Sequence, residues 1–372
     1  MAIELSAMGQ RLRLSRESLR LTLREVQERT GIGESSLSEF ENGKREPRMS
    51  QLAVLGDLYR RPWTFFFEAD NPPDPLVLWR QQPSPDVAAQ IAAQFRRLCE
   101  QYRNLELWCD DVRKCRLPEP KQAPQTFADA ERLAHAVHGE LGLGERPGRT
   151  LLTVLEEVCG VKVFHIEYDP PGAAACTRSA NFGPAILLNA KNARWRRNFD
   201  LAHELFHLIT WQAFRTEAGT KQILADQHEE KLANAFASHL LMPADTVRLA
   251  IEEHKRQGTI ELSALLDIAR QFDVSIDALC WRMVSLRYLD REAAPDIIER
   301  CKLGALRWEW SREGEPAPVR PERFRALAVR ALYTGRASIG TFAEYLGISR
   351  HQALRFAERE EPDEAPIAVA DP

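Results

Sequence analysis

Apolar residues recur at spacings of three and four along most of this chain, the period at which side chains line one face of an α-helix. Within residues 1–68 the pattern is cut into short pieces. Leu5 to Ser18 is amphipathic, and Thr22 with Glu25 three residues on forms a capping box that opens a second helix, closed after Thr30 by Gly31. Glu34 to Asn42 gives a third helix ended by Gly43, and Ser50 opens a fourth in which Leu52, Leu55 and Leu58 share a face. The expectation is an all-α bundle. Asp70-Asn71-Pro72-Pro73-Asp74-Pro75 cannot continue a helix. Residues 69–126 therefore read as a linker and a connecting amphipathic helix over about Asp86 to Lys114.

From Phe127 the period becomes mixed. Helical patterns reach about Leu141 and span Thr150 to Cys159, followed by β-rich Val161 to Ile166 and a second strand candidate, Ala185 to Asn189. Longer helical patterns follow at Trp195 to Trp211 and Gln227 to Leu241, then at Leu262 to Phe272 and Ser275 to Leu286. Residues 127–290 read as a central α+β domain with a small sheet. Past a Pro-containing stretch at Glu315 to Pro321, three short helices make residues 291–360 a C-terminal helical segment, and 361–372 reads as a disordered tail. The fold class predicted is multidomain and mainly α.

A chain of 372 residues exceeds what one core usually organises, which agrees with this division. No apolar run approaches the roughly 20 residues that span a bilayer. Met1 to Gly9 lacks the basic and apolar regions of an export signal, so a cytoplasmic location is expected and a secreted digestive protease is disfavoured. The seven cysteines are scattered, with no C-x-x-C pair, and read as reduced thiols. Net charge is -4, so any nucleic-acid contact must use a local basic surface.

The chemistry concentrates in Leu201-Ala202-His203-Glu204-Leu205-Phe206-His207-Leu208. Histidines at i and i+4 put two imidazoles on one helical face, one turn apart, where both can bind one metal ion. Glu204, beside the first, can take a proton from a water that the metal has made acidic. Catalytic zinc usually has three protein ligands. Glu230 is the candidate third, since it opens Glu230-Lys231-Leu232-Ala233-Asn234, where Asn234 lies one turn on and can hold a histidine by accepting its free ring N–H. Ala233 and Ala237 are small enough to let this helix approach the histidine helix closely. Zn2+ is the expected cofactor, although two histidines and a glutamate also accept manganese or cobalt.

These residues carry a resemblance. His203-Glu204-Leu205-Phe206-His207, followed by Glu230-Lys231-Leu232-Ala233-Asn234-Ala235-Phe236-Ala237-Ser238-His239-Leu240-Leu241-Met242-Pro243, resembles the H-E-L-G-H helix and E-x-x-A-N-x-F-A-x-x-L-L-M-P segment of the ImmA/IrrE family of zincin-like metallopeptidases. The resemblance spans about residues 127–290. It implies His203, His207 and Glu230 as metal ligands and Glu204 as general base. Phe206 stands where the family has Gly, adding bulk beside the ligands that is expected to alter substrate access. In zincins generally an extended substrate pairs with the edge strand before the active-site helix, which makes Ala185, Ile186, Leu187, Leu188 and Asn189 the expected substrate strand.

Residues 10–66 resemble the XRE/Cro-like helix-turn-helix family through Leu23 to Ile32 and Ser36 to Pro47. That resemblance puts Ser35, Ser36, Ser38 and Glu39 on the helix that reads DNA, with Lys44, Arg45 and Arg48 near phosphate. Glu34, Glu39 and Glu41 oppose phosphate there, and protein recognition or homodimerisation is the competing role. Ser338 to Arg350 also has helix-turn-helix form, with Arg350, His351 and Arg355 on its second helix. The expected function is a cytoplasmic zinc endopeptidase fused to a DNA-binding domain, and the resemblance to the ImmA/IrrE family implies as its substrate a specific regulatory protein such as a helix-turn-helix repressor of stress-response or mobile-element genes. The alternative is a DNA-binding regulator or antitoxin-like protein that uses the zincin domain as a sensor or interaction platform.

Overall fold

The computed structural model describes residues 5–67, 75–120, 122–169, 174–215, 225–307 and 316–358, with the side chains of 304–307 set aside. The acidic proline-rich break at 70–74 and the tail at 361–372 lie outside the described residues. Local turn chemistry sets the first helices: α1 Leu5–Ser18, α2 Leu23–Thr30, α3 Glu34–Glu41 and α4 Met49–Tyr59. Thr22 accepts from the Glu25 amide and Glu25 accepts from the Thr22 amide, while Gly31 at φ 73° closes α2 in the left-handed region. A Cβ on Gly9 would lie 2.5 Å from the Phe40 carbonyl oxygen, so the contact of α1 with α3 requires glycine. Leu12, Val26, Leu37, Phe40 and Leu52 fill the interior of this bundle.

The chain then runs through β1 Val77–Trp79, α5 Pro85–Trp108, α6 Phe127–Glu140, α7 Pro147–Glu157, β2 Lys162–Ile166, β3 Ala174–Ser179 and β4 Gly183–Asn189. The four strands form one sheet in the order β1-β3-β4-β2. β4 is parallel to β2 and antiparallel to β3, and β3 is antiparallel to β1. This corrects the expected substrate strand. Ala185, Ile186, Leu187, Leu188 and Asn189 are paired on both sides, with β2 and with β3, so β4 is an interior strand with neither hydrogen-bonding edge free. The strand missing from the sequence reading is β3, whose Ala-Ala-Cys-Thr-Arg-Ser carries little of the β-branched and aromatic character that marks a strand. Cys176 sits in it, fully buried.

Behind the sheet come α8 Arg194–Ile209, the single turn α9 Trp211–Phe214, α10 Gln227–Leu241, α11 Ala244–His254, α12 Leu262–Phe272, α13 Ile276–Ser285 and α14 Ala294–Arg307. Strand alternation divides two cores. Leu78, Val163, Cys176, Ile186 and Leu188 face the helical layer of α6 to α8 and α10, whereas Trp79, Phe164, Ala175, Ala185 and Leu187 face α5. Onto that second face dock α15 Glu322–Tyr333, α16 Ile339–Leu346 and α17 Arg350–Ala357, through Phe324, Phe342 and Tyr345. Among the described residues the architecture is multidomain and mainly α, with the sheet held between two helical layers.

Helix α5 connects the parts. Its Phe95 and Tyr102 meet Phe164 edge-on, with ring centroids 6.3 and 6.1 Å away, and Trp108 stacks on Tyr345 at 5.7 Å. Arg97 donates to Asp57 of α4 at 3.3 Å and to Glu344 of α16 at 2.9 Å, so one side chain joins the N-terminal bundle to the C-terminal helices. Glu106 of α5 is buried and compensated by Lys162 at 3.0 Å and Arg323 at 2.9 Å. No described helix is long and apolar enough to cross a membrane.

Candidate metal centre

Helix α8 places the histidines because its second half is buried on every side, from Asp200 to Ile209. Helix α10 brings the carboxylate. Asp226 caps it by accepting from the amides of His228 and Glu229, which fixes the first turn where Glu229 and Glu230 sit and where the helix dipole favours negative charge. Ala233 and Ala237 are fully buried, and α10 packs between α6 and α8. The two helices bring one ligand atom each from His203, His207 and Glu230 within 4.8 Å of one another. The His203 and His207 Nε2 atoms are 3.1 Å apart, and Glu230 carboxylate oxygens lie 3.3 Å from the first and 3.4 Å from the second.

The opposite ring nitrogens are held. His203 Nδ1 lies 3.1 Å from Asn234 Oδ1, an atom that already accepts from Arg80 Nη2 at 2.9 Å, so the histidine must be the donor. His207 Nδ1 likewise donates to Glu229 Oε1 at 2.8 Å, and Arg215 donates to the same oxygen at 2.6 Å. Held this way, each imidazole in its neutral form leaves Nε2 free toward Glu230, which is the form a metal ligand needs. Glu229, Arg215, Arg80 and Asp200 are the participants absent from the sequence reading. Glu229 had a signal, as the neighbour of Glu230 in a capped first turn. Arg80 comes from 120 residues before Asp200, its ion-pair partner, and nothing local announces it.

Electrostatics favour a cation at the convergence of these atoms. Burial would lower the pKa of His207, but the carboxylates of Glu229, Glu230 and Glu204 outweigh it and lift the group to about 9. Burial holds His203 down at about 3, and the proton that the carboxylates favour on His207 sits where a metal cation would replace it. Burial also opposes ionisation of Glu230, yet the two histidines take its carboxyl down to about 2. Glu204 is raised to about 7, chiefly by burial. Both its oxygens are buried without a hydrogen-bond partner, with the Cys176 thiol alongside, and Glu230 Oε1 is in the same condition. Orphaned carboxylate oxygens beside two converging imidazole Nε2 atoms fit a divalent metal and its water, and the nitrogen and oxygen donor set fits zinc.

Access is narrow. His203, Glu204 and His207 are 0%, 0% and 1% exposed, while the Glu230 side chain is 22% exposed. Phe206 does not stand at an entrance, as its expected influence on substrate access would require. It is fully buried among Phe236, Phe214 and the ring of His207, at centroid distances of 5.5, 6.4 and 5.6 Å. His239 faces α6, 3.9 Å from Glu131, apart from the metal cluster. Cys176 is fully buried, its thiol pKa pushed well up by burial and by Glu204.

In the N-terminal bundle, Ser35, Glu39, Lys44, Arg45 and Arg48 are exposed on α3 and the turn after it, with Ser36 and Ser38 half-buried. The negative charge expected there is partly spent within the domain. Arg16 holds both Glu41 oxygens, at 2.7 and 2.8 Å, and Arg45 lies 3.5 Å from Glu39. Arg350, His351 and Arg355 are exposed on α17.

Residues 156–284 match the Peptidase M78 family, described as the IrrE N-terminal-like domain, and residues 7–62 match a helix-turn-helix domain family. The chain thus carries a helix-turn-helix domain ahead of an IrrE N-terminal-like domain. No curated protein matches it. Among solved structures, ComR from Streptococcus suis aligns over 94% of this chain and 89% of that one, with 12% identity and a TM-score of 0.16.

Proposed function

We propose that the protein is a zinc-dependent endopeptidase coupled to transcriptional control, which cleaves a specific regulatory protein such as a helix-turn-helix repressor. The observation that carries this reading is the convergence of His203, His207 and Glu230 around the unpartnered carboxylate of Glu204. The matched helix-turn-helix and Peptidase M78 domains support a peptidase-type function linked to regulation. His203, His207 and Glu230 would hold the zinc. When bound, zinc supplies Lewis acidity toward water and the scissile carbonyl.

The chain's own residues do the rest. Glu204, poised near neutrality by its dry surroundings, accepts a proton from the attacking water and returns it to the leaving amine. Asn234 and Glu229 keep each imidazole oriented, with Arg80 and Arg215 holding those partners in turn. The bundle of residues 1–68 would bring the enzyme to DNA or to its protein target through Ser35, Ser36, Ser38, Glu39, Lys44, Arg45 and Arg48.

The test is co-expression with the protein encoded by the neighbouring gene, followed by mass spectrometry. Wild type should produce one zinc-dependent cut. Glu204→Gln should keep a full equivalent of zinc and produce none, and equal cutting by that variant would sink the mechanism. The near-complete burial of His203, Glu204 and His207 favours one other reading, a DNA-binding regulator whose metal site senses rather than cleaves. Unchanged regulation of the target genes by Glu204→Gln would select it.

A further inference from the structure

Strand β3 borders the metal site. It packs against α8, and its Cys176 side chain lies beside Glu204. One side of β3 is paired with β4, and the other would be the sheet's edge if β1 were not on it. β1 comes from outside the matched domain, which begins at residue 156. It runs antiparallel to β3 in the register Val77 to Thr177, Leu78 to Cys176 and Trp79 to Ala175, extended by an Arg80 amide donating to the Ala174 carbonyl at 3.0 Å. Leu78 packs in the same core as Cys176 and Phe206. Two residues on, the Arg80 guanidinium reaches Asp200 and Asn234, the residue that orients His203. Arg80 also lines a cleft of about 330 Å³ with Trp195, Phe199, Asn234, Ser238 and Trp281.

An extended segment three residues long, hydrogen-bonded along the strand that flanks the site, with its leucine and arginine facing the helix of the metal ligands, has the layout of a peptide bound by β-augmentation. Resting on the peptidase reading above, we infer that the outer side of β3 is the docking edge for an extended polypeptide substrate, and that residues 75–80 occupy it in cis and must leave before a substrate can bind. A substrate fitted to this edge carries an apolar residue opposite Cys176 and a basic or otherwise polar long side chain two positions later. Residues 68–74 alone separate this segment from the described end of the helix-turn-helix bundle in sequence, so the occupying strand is covalently close to that domain. The strand is short but anchored by Leu78 and Trp79, each buried in one of the two cores that flank the sheet, so its departure needs an input of energy. β1 has three residues, and Asp200 keeps Arg196 at 3.1 Å and Asn192 at 3.0 Å once Arg80 departs.

The exchange can be read without activity. The probe is a fluorescein-labelled peptide of residues 75–82, Pro-Leu-Val-Leu-Trp-Arg-Gln-Gln, titrated by anisotropy into the full chain carrying Val77→Cys and Thr177→Cys, whose opposed positions suit a cross-strand disulfide. The reduced protein should bind the probe saturably, and the oxidised protein at least ten-fold more weakly. Equal binding by both forms, or none by either, overturns the inference. In a second arm free of new cysteines, Arg80→Ala should bind the probe at least ten-fold more tightly than wild type and show faster hydrogen exchange across 174–179; unchanged affinity and exchange overturn it as well. Zinc content and cleavage are measured on the same samples. Probe exchange without zinc or cleavage faults the peptidase reading alone, whereas zinc and cleavage without probe exchange fault the strand.

Discussion

Phe206 offers a test of how the helix of the two histidines is supported. The related motif has Gly at this position, so Phe206→Gly restores the family pattern and, judged by the motif alone, should be harmless. The structure says otherwise. The ring is fully buried against Phe236 and Phe214, and deleting a buried Phe side chain costs about 3–5 kcal/mol through lost transfer energy and the cavity left behind. Glycine within a helix adds about 1 kcal/mol relative to alanine. The sum, about 4–6 kcal/mol, corresponds to a fall in Tm on the order of 10–20 °C for a domain of this size. The assay is thermal unfolding of metal-free protein followed by far-UV circular dichroism, with Phe206→Leu as the volume-sparing control that loses much less. A fall smaller than about 4 °C for Phe206→Gly would refute the assignment of Phe206 to the core and return it to the site's entrance.

Three further outcomes are expected. Glu229→Ala and Asn234→Ala should each weaken zinc binding by about 10–100-fold in a chelator competition while leaving all three candidate ligands in place, because each removes the acceptor that holds a histidine. Glu156 is raised to about 8 by burial, with Glu157 and Glu322 adding to it. Between about pH 4.5 and pH 8 the folded state therefore holds a proton that the unfolded chain has released, and stability falls as pH rises through that window. Glu156→Gln should leave Tm unchanged near pH 4.5 and raise it at pH 8, and equal shifts at both would contradict the burial argument. If the N-terminal bundle binds DNA, Arg48→Ala should weaken binding about equally across sequences and lower the salt slope by about one, as measured by titration at several salt concentrations.

What the sequence made legible follows from the range over which each signal acts. The helices of the N-terminal bundle are announced by caps three residues away, as Thr22 with Glu25, and the candidate metal cluster by a period of four within α8 and a short stretch of α10. These are local, and the structure brings His203, His207 and Glu230 together where spacing alone suggested. The sheet is different. Ala174 to Ser179 has no intrinsic reason to be a strand, and becomes one because β4 and β1 supply partners on either side. Missing β3 is what turned β4 into an apparent edge.

The same range argument explains why residues 69–126 read as a connection and little more. Amphipathicity shows that α5 buries a face, but not that the face belongs to the sheet of a domain beginning further on, nor that Tyr102 meets Phe164 from that sheet and Phe324 from the C-terminal helices. The outcome is one layer, α5 with α15 and α16, closing the sheet on the side away from the His203, His207 and Glu230 cluster, with Arg97 tying it to α4 of the N-terminal bundle. β1 and α5 are consecutive elements with residues 80–84 between them, so the segment that borders the site lies close in sequence to the helix that anchors the N-terminal bundle. A signal received at residues 1–68 therefore has a covalent and a packed route to the strand beside Glu204, and both routes pass through residues 75–108.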